Sequence, residues 1–416
     1  MSTGLSTPIT ICRSCGSSQL ETVLDLGRQP PANSLRASLS DTVPTFPLVI
    51  CRCADCATVQ LTETVDPRYL FQQYVWVTGT SSTATAYSAR FCDAVRTRSP
   101  GGRPLFVVEV ASNDGTFLKR FQAAGDRVLG VDPAQNIAAA ANAAGVPTWA
   151  EFFTREIGER IRREQGPADV AFARNVLPHV PDPLGILRGM AACVGDDGLV
   201  VVEFHQADAI LDELHYDSIY HEHLFYHSLR SMEYLLNQAG LQAFDLMESP
   251  ISGGSLVAFC AKTARPASES LQARRRSEEQ RGTNQRERWQ QFAANCFAHR
   301  QTLVAMVDEA LRSDNGSARM IGYGASARSS TLLNFCGIGQ RQLRAIADRN
   351  PLKHHHWTAG TDVEILPPDE AFSRIDPNWV LLLAWNFRDE ILQELQARGY
   401  RGRVIVPLPK PEVISL

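Results

Sequence analysis

The chain has 416 residues, which at about 150 residues per domain points to two or three domains. Lys and Arg total 41 against 45 Asp and Glu, a net charge of −4, so the chain lacks the electrostatic footprint of a nucleic-acid binder. Hydrophobic residues make up 44% and charged residues 21%, which argues against global disorder. No apolar run approaches the roughly 20 residues of a membrane span. The opening MSTGLSTPITICRSC has no basic patch followed by a long apolar stretch, so no secretory leader is expected and a cytoplasmic setting is.

Five of the ten cysteines fall within the first 56 residues. Cys12 and Cys15 form one C-x-x-C, Cys53 and Cys56 another. Each pair offers two thiolates from one tight knuckle, and two knuckles close a tetrahedral all-thiolate zinc site with no position left for water. Such a zinc is structural, a crosslink for a segment with little apolar core of its own. The alternative is a redox dithiol pair. Cys51 is a surplus thiol, either a core residue or a competitor of Cys53 for the metal.

Leu105 to Val110 reads as a buried strand, followed by a small-residue turn, Ala111 to Gly115, and a helix pattern from Thr116. This strand–turn–helix unit is how doubly wound sheets present a nucleotide-like ligand. Neither a P-loop lysine nor a full G-x-G-x-x-G is present. Glu109 lies inside the strand end, and a second strand, Arg127 to Val131, ends in Asp132, well placed to hold ribose hydroxyls. Acids at two strand ends, without phosphate-cradling glycines, suit an adenosine that carries a cation and no phosphate, which describes S-adenosylmethionine. The other reading is a Rossmann-like strand with incidental acids. Further strands are read at 168–173 and 199–204, and the alternation from about 104 to 262 predicts a parallel sheet.

The richest polar cluster is Tyr216 to His227, with His221, Glu222 and His223 at its centre and His215 just before it. H-E-H is not the H-E-x-x-H of a helical zinc site. On an extended segment His221 and His223 would share a face opposite Glu222, and a His beside a carboxylate is a common general base near neutral pH. The competing reading is a surface loop. Upstream, the aromatic and then hydroxylated stretch around Tyr74 is either a linker or a lid over the site.

Residues 262–312 predict one or two amphipathic helices, with Trp289, Phe292, Cys296, Leu303, Val307 and Leu311 as the core stripe. A second strand–turn–helix, Ala318 to Arg328, contains G-Y-G, and strands are read at 343–347, 379–384 and 403–406. A G-x-G turn at a helix N-terminus can hold a pyrophosphate, although a purely structural turn has the same pattern. His354, His355 and His356 read as a solvated turn rather than a metal site.

Taken in chain order, C-x-x-C…C-x-x-C, E-V-A-S-N-D-G, N-V-L-P-H-V-P-D, Y-H-E-H-L, G-Y-G-A and A-W-N-F resemble the S-adenosylmethionine-dependent C-methyltransferases of antibiotic pathways. These act on nucleotide-linked 4-keto-deoxy sugars, as in the making of tetronitrose and mycarose. The resemblance implies an α/β chain of three parts. A small zinc-binding domain would span 1–66. A class I methyltransferase domain with a Rossmann-like doubly wound sheet would span 67–265, its first residues, 67–95, a lid or linker. A helical linker and a smaller α/β domain for the nucleotide-sugar, dTDP-linked, would span 266–416. It implies structural zinc on Cys12, Cys15, Cys53 and Cys56. It further implies the methyl donor on Glu109, Ser112, Asn113, Asp132 and Asn175, and the sugar nucleotide on Gly322, Tyr323, Arg328 and Asn386. Tyr74, His179, Tyr220, Glu222 and His223 match the family's active-site groups, with His223 as the base that removes the C3 proton of a 4-keto sugar. Arg328 stands where many relatives carry lysine, and the triple His where glutamine and glycine are expected. A monomer or weak oligomer is expected. Two other classes are open at this stage: an O- or N-methyltransferase acting on a small molecule, and a zinc-knuckle binding module with an inert core.

Overall fold

The computed structural model describes residues 4–70, 78–80, 82–312 and 317–416. The N-terminal unit holds β1 (Ser6–Pro8), β2 (Leu20–Gln29), β3 (Phe46–Cys53), β4 (Val59–Leu61) and β5 (Glu63–Val65). β2 runs antiparallel to β3 with Leu20 opposite Cys53, so the long gap between the two knuckles is a hairpin that leaves and returns. Each knuckle closes on a left-handed residue. Gly16 N–H donates to the Cys12 carbonyl and Ala57 N–H to that of Cys53, with φ of 76° and 59°.

The central unit holds β6 (Phe106–Val110), β7 (Arg127–Val131), β8 (Thr148–Trp149), β9 (Ala168–Arg174), β10 (Val194–His205), β11 (Phe225–Tyr226), β12 (Gln242–Ser249) and β13 (Ser255–Ala261). Seven of these form one sheet in the order β12-β13-β10-β9-β6-β7-β8. The fully parallel sheet expected from sequence needs correcting. β13 pairs antiparallel with both β10 and β12. The reason is the connection: a short turn joins Ser249 to Ser255, and a parallel crossover needs a dozen residues or more. Apolar side chains cover both faces of this sheet, as its continuous Val/Ala/Phe runs require.

β11 belongs to the other sheet. It pairs with β4, giving β11-β4-β3-β2, so the segment after the last central strand-end acid is sewn into the zinc unit. Two helices follow, Glu269–Arg281 and Arg286–Arg312. The second buries Trp289, Phe292, Cys296, Leu303 and Val307 as its spacing predicts. The C-terminal unit holds β14 (Met320–Tyr323), β15 (Ile346–Ala347), β16 (Ile365–Leu366), β17 (Trp379–Leu382), β18 (Arg403–Val406) and β19 (Glu412–Ser415), in the order β16-β15-β14-β17-β18-β19. All pairs are parallel except the last. One apolar cluster joins the zinc unit, residues 207–226, the long helix and the C-terminal unit, from Val23 and Ile50 through Tyr216 and Trp289 to Ile346 and Ile405, while the two faces of the central sheet carry clusters of their own. Among the described residues no helix is long and apolar enough to cross a membrane.

Candidate active site

Cys12, Cys15, Cys53 and Cys56 bring their sulfurs within 4.8 Å of one another. Cys12 and Cys56 are 3.6 Å apart, Cys15 and Cys53 3.5 Å. Tetrahedral zinc with bonds of about 2.3 Å sets its sulfurs roughly 3.8 Å apart, whereas a disulfide needs about 2 Å. The donor set therefore fits zinc and not a redox pair. Gln60 Nε2–H donates to the Cys12 sulfur at 3.1 Å, the kind of outer contact that orients a thiolate ligand. Cys51 is buried in β3 and is not part of the four-sulfur group.

The C-terminal end of the central sheet is built by the turn after β6. Ala111, Asn113 and Gly115 all take positive φ (53°, 50° and 73°). At Gly115 a Cβ would also come within 2.8 Å of Val146, so this position requires glycine. Asp132, at the tip of β7, accepts from the main-chain N–H of Asn113 and of Ala134, each at 2.9 Å. Thr78 N–H donates to Asn113 Oδ1 at 2.9 Å, which fixes the chain at Thr78 onto the turn. Tyr74 itself lies outside the described residues. Asn175, with φ 52°, turns the chain at the end of β9, and its N–H reaches the Glu203 carbonyl at 2.8 Å.

Glu109 is fully buried. Burial pushes its carboxyl up to about 8, opposed by Arg174. The Arg174 guanidinium lies 3.2 Å from Glu109 Oε1 and 3.9 Å from Glu203 Oε2, and packs on the Phe117 ring. Arg174 was missed in the sequence. The signal was there, since two buried acids on strands that flank β9 need a cation between them. Glu109 Oε2 and Ser112 Oγ are buried with no hydrogen-bond partner among the described residues. Orphaned polar atoms at this strand end fit a ligand that brings its own donors.

The Tyr216–His227 cluster is not an extended strand, and His221 and His223 do not share a face. Tyr216–Ser218 is a single 3-10 turn, followed by irregular chain. His221 turns to the zinc unit, 3.3 Å from the Pro47 carbonyl and edge-on to Phe46. His223 turns the other way. Its Nδ1 lies 2.9 Å from the Ser218 carbonyl. A carbonyl only accepts, so Nδ1 carries the proton. Nε2 is then the bare nitrogen, and the Tyr220 hydroxyl donates to it at 2.7 Å. The His179 ring stands edge-on to His223, centroids 4.7 Å apart. Burial lowers His179 to about 4 and drives His223 well below its ordinary value, so both rings are neutral at pH 7. Glu222 is buried, its Oε1 2.6 Å from Asn33 Nδ2, and burial lifts its carboxyl to about 7. Leu224 N–H donates to the Pro178 carbonyl at 2.6 Å. That bond holds the segment against the turn Leu177–His179, directly after Asn175, and so beside the donor end of the sheet.

The same segment meets the C-terminal unit. Arg328 forms a two-pronged ion pair with buried Asp217 (2.8 and 3.0 Å), and Trp385 Nε1–H donates to the same carboxylate at 2.8 Å. Thr331 Oγ–H donates to the Ile219 carbonyl at 2.9 Å. The Arg328 guanidinium is thus committed to a domain junction. Tyr323 is buried, and its hydroxyl donates to Glu394 at 2.6 Å inside the unit. Gly322 lies in β14, where a Cβ would strike Leu383 at 2.6 Å, a packing demand. Asn386 is exposed in the turn Trp385–Phe387, after β17. His354 and His356 bond to nearby carbonyls and form no metal group among the described residues.

A seven-stranded sheet with one antiparallel strand inserted next to its edge, a ligand-ready turn at its carboxyl end and a four-thiolate knuckle domain define an S-adenosylmethionine-dependent methyltransferase carrying a zinc-binding domain. Family profiles agree along the chain: "Putative zinc binding domain" over residues 12–71, "Methyltransferase domain" over 84–246 and "C-methyltransferase C-terminal domain" over 250–409. The chain is 34% identical over 417 residues to C-methyltransferase NovU of Streptomyces niveus, covering 98% of this chain and 97% of that one. It therefore belongs to this family of C-methyltransferases. A shorter match, 34% over 105 residues, covers 25% of this chain and 38% of an uncharacterized methyltransferase of Mycobacterium leprae. Among solved structures, the CcbJ methyltransferase from Streptomyces caelestis matches 46% of this chain and 94% of its own, at 15% identity and a TM-score of 0.35, too low a likeness to bear on function.

Proposed function

We propose that this C-methyltransferase methylates C3 of a nucleotide-linked 4-keto-deoxy sugar, dTDP-linked, by a base-generated carbanion. The observation that carries the reading is the Tyr220–His223 pair, with a bare imidazole nitrogen bonded to a phenol at 2.7 Å. A carbon acceptor must lose a proton before it can act as a nucleophile; an oxygen or nitrogen acceptor needs no carbon-acid base. Glu109, Ser112, Asn113, Asp132 and Asn175 would hold the donor, which supplies an electrophilic sulfonium methyl. The end of the second sheet, with the main chain at Gly322 and Tyr323 and the exposed Asn386, receives the nucleotide. Arg328, held by Asp217, forms a wall of that site.

The C4 ketone acidifies the proton on C3. The Tyr220 oxygen takes that proton as its own passes to His223 Nε2, so the imidazole is the final acceptor and the phenol the contact. Negative charge moves to the C4 oxygen. Glu222 accepts from Asn33 through Oε1, which leaves Oε2 to carry a proton; with its carboxyl near 7, it donates to that oxygen. Tyr74 and His179 would bind the sugar or shield the carbanion. The ten free cysteines suit a reducing cytoplasm. The test is hydrogen exchange at C3 of a dTDP-4-keto-deoxy sugar in deuterated water without donor. Wild type is expected to exchange and His223→Ala not to. Absence of exchange in wild type, with methylation intact, would assign the methyl to oxygen or nitrogen.

A further inference from the structure

The zinc domain reaches past its own fold at one point. After β2 the chain turns at Pro30–Arg36 and is pinned to the C-terminal unit. Arg36 N–H donates to the Trp357 carbonyl at 2.9 Å and Trp357 N–H returns the bond at 2.8 Å, while the Arg36 guanidinium pairs with Asp362. Pro30 packs beside Gly360. Asn33 stands at the tip of this clamped turn. It is exposed, yet its amide donates to the buried carboxylate of Glu222, 189 residues away. We propose that Asn33 is a positioning residue of the active site: the zinc domain supplies the amide that fixes Glu222 Oε1 and so presents Oε2 to the substrate.

This rests on Glu222 acting as the acid in the reading above. Asn33 supplies the one hydrogen bond to the Glu222 carboxylate among the described residues; His221 and His223 flank it in the chain, and the His179 ring bonds to the Glu222 main chain. A donor to a carboxylate favours its charged form, so removing the Asn33 amide raises the pH at which Glu222 ionises. The test compares wild type, Asn33→Leu and Asn33→Gln as zinc-loaded full chains with selectively 13C-labelled glutamate carboxyls, Glu222 being assigned by its loss in Glu222→Gln. In Asn33→Leu the Glu222 titration is expected to move to higher pH, kcat to fall about tenfold and the zinc ratio to stay that of wild type; Asn33→Gln restores part of both. An unmoved Glu222 titration in Asn33→Leu overturns the proposal, as does loss of zinc together with activity, which would make Asn33 a folding residue. If Glu222→Gln leaves the pH–rate profile of the enzyme unchanged, it is the acid assignment of Glu222 that falls, while the titration shift still stands or fails by itself.

Discussion

At the scale of single residues, the site is set by burial acting on groups that water would leave at ordinary values. His223 is held neutral by its surroundings, and its tautomer is dictated by the Ser218 carbonyl. On the proposed mechanism it acts in the transition state for proton removal, so His223→Ala is expected to lower kcat about a hundredfold or more while S-adenosylhomocysteine affinity, read by calorimetry, stays unchanged. Equal losses in both would make His223 a binding residue. Tyr220→Phe keeps the ring and removes the relay, and should abolish exchange at C3 with the same donor affinity. On the proposed mechanism the pH profile follows from two groups shifted in opposite directions. His223 must be neutral, which holds throughout the neutral range because its pKa is depressed. Glu222 must be protonated, which holds below about 7 and is lost above it. kcat/KM should therefore fall as pH rises through about 7. Glu222→Gln, an amide that donates but does not ionise, should remove that decline.

At the scale of elements, two short devices position the chemistry. The turn after β6 strings three left-handed residues between strand and helix. Gly115→Ala forces a side chain into an unfavourable φ and against Val146. About 1–3 kcal/mol of strain should appear as a lowered melting temperature and weaker S-adenosylhomocysteine binding. The Asp217–Arg328–Trp385 junction ties the segment that carries Tyr220 and His223 to the C-terminal unit. Arg328→Ala leaves a buried carboxylate with the indole N–H as its remaining strong donor. It should cost about 3 kcal/mol of stability, measured by denaturant unfolding. A variant as stable as wild type would contradict this account of the junction.

At the scale of the whole molecule, the three units form one machine because one apolar cluster joins the zinc unit and the C-terminal unit to residues 207–226 and because one segment, Tyr216 to Tyr226, touches all of them. It pairs with β4 of the zinc unit, hangs from Pro178 in the central unit and grips Thr331 and Arg328 in the last. Zinc is then coupled to catalysis through folding, since the metal organises the domain that carries β4 and Asn33. Cys12→Ser is expected to lose zinc, measured as the metal-to-chain ratio, and to become insoluble. A soluble, zinc-replete Cys12→Ser with a turnover defect alone would contradict this coupling.

What could be read locally was read well. Knuckle spacing, the strand–turn–helix units near 105 and 320, strands 127–131 and 403–406 and the stripe on the long helix depend on short-range periodicity and ligand chemistry, which neighbouring residues carry. The alternation pattern did not reveal the antiparallel β13, because strand direction depends on the length of a connection and on its partner rather than on composition. Nor could it show that His221 and His223 part company, that Arg328 is taken by Asp217, that Tyr323 faces inward, or that Asn33 meets Glu222. The sequence by itself determined the class of elements and the four-thiolate metal site. Tertiary structure alone decided which side chains meet, because contacts between residues some 40 to 190 positions apart are chosen by how the three units pack on one another, and no local pattern encodes that packing.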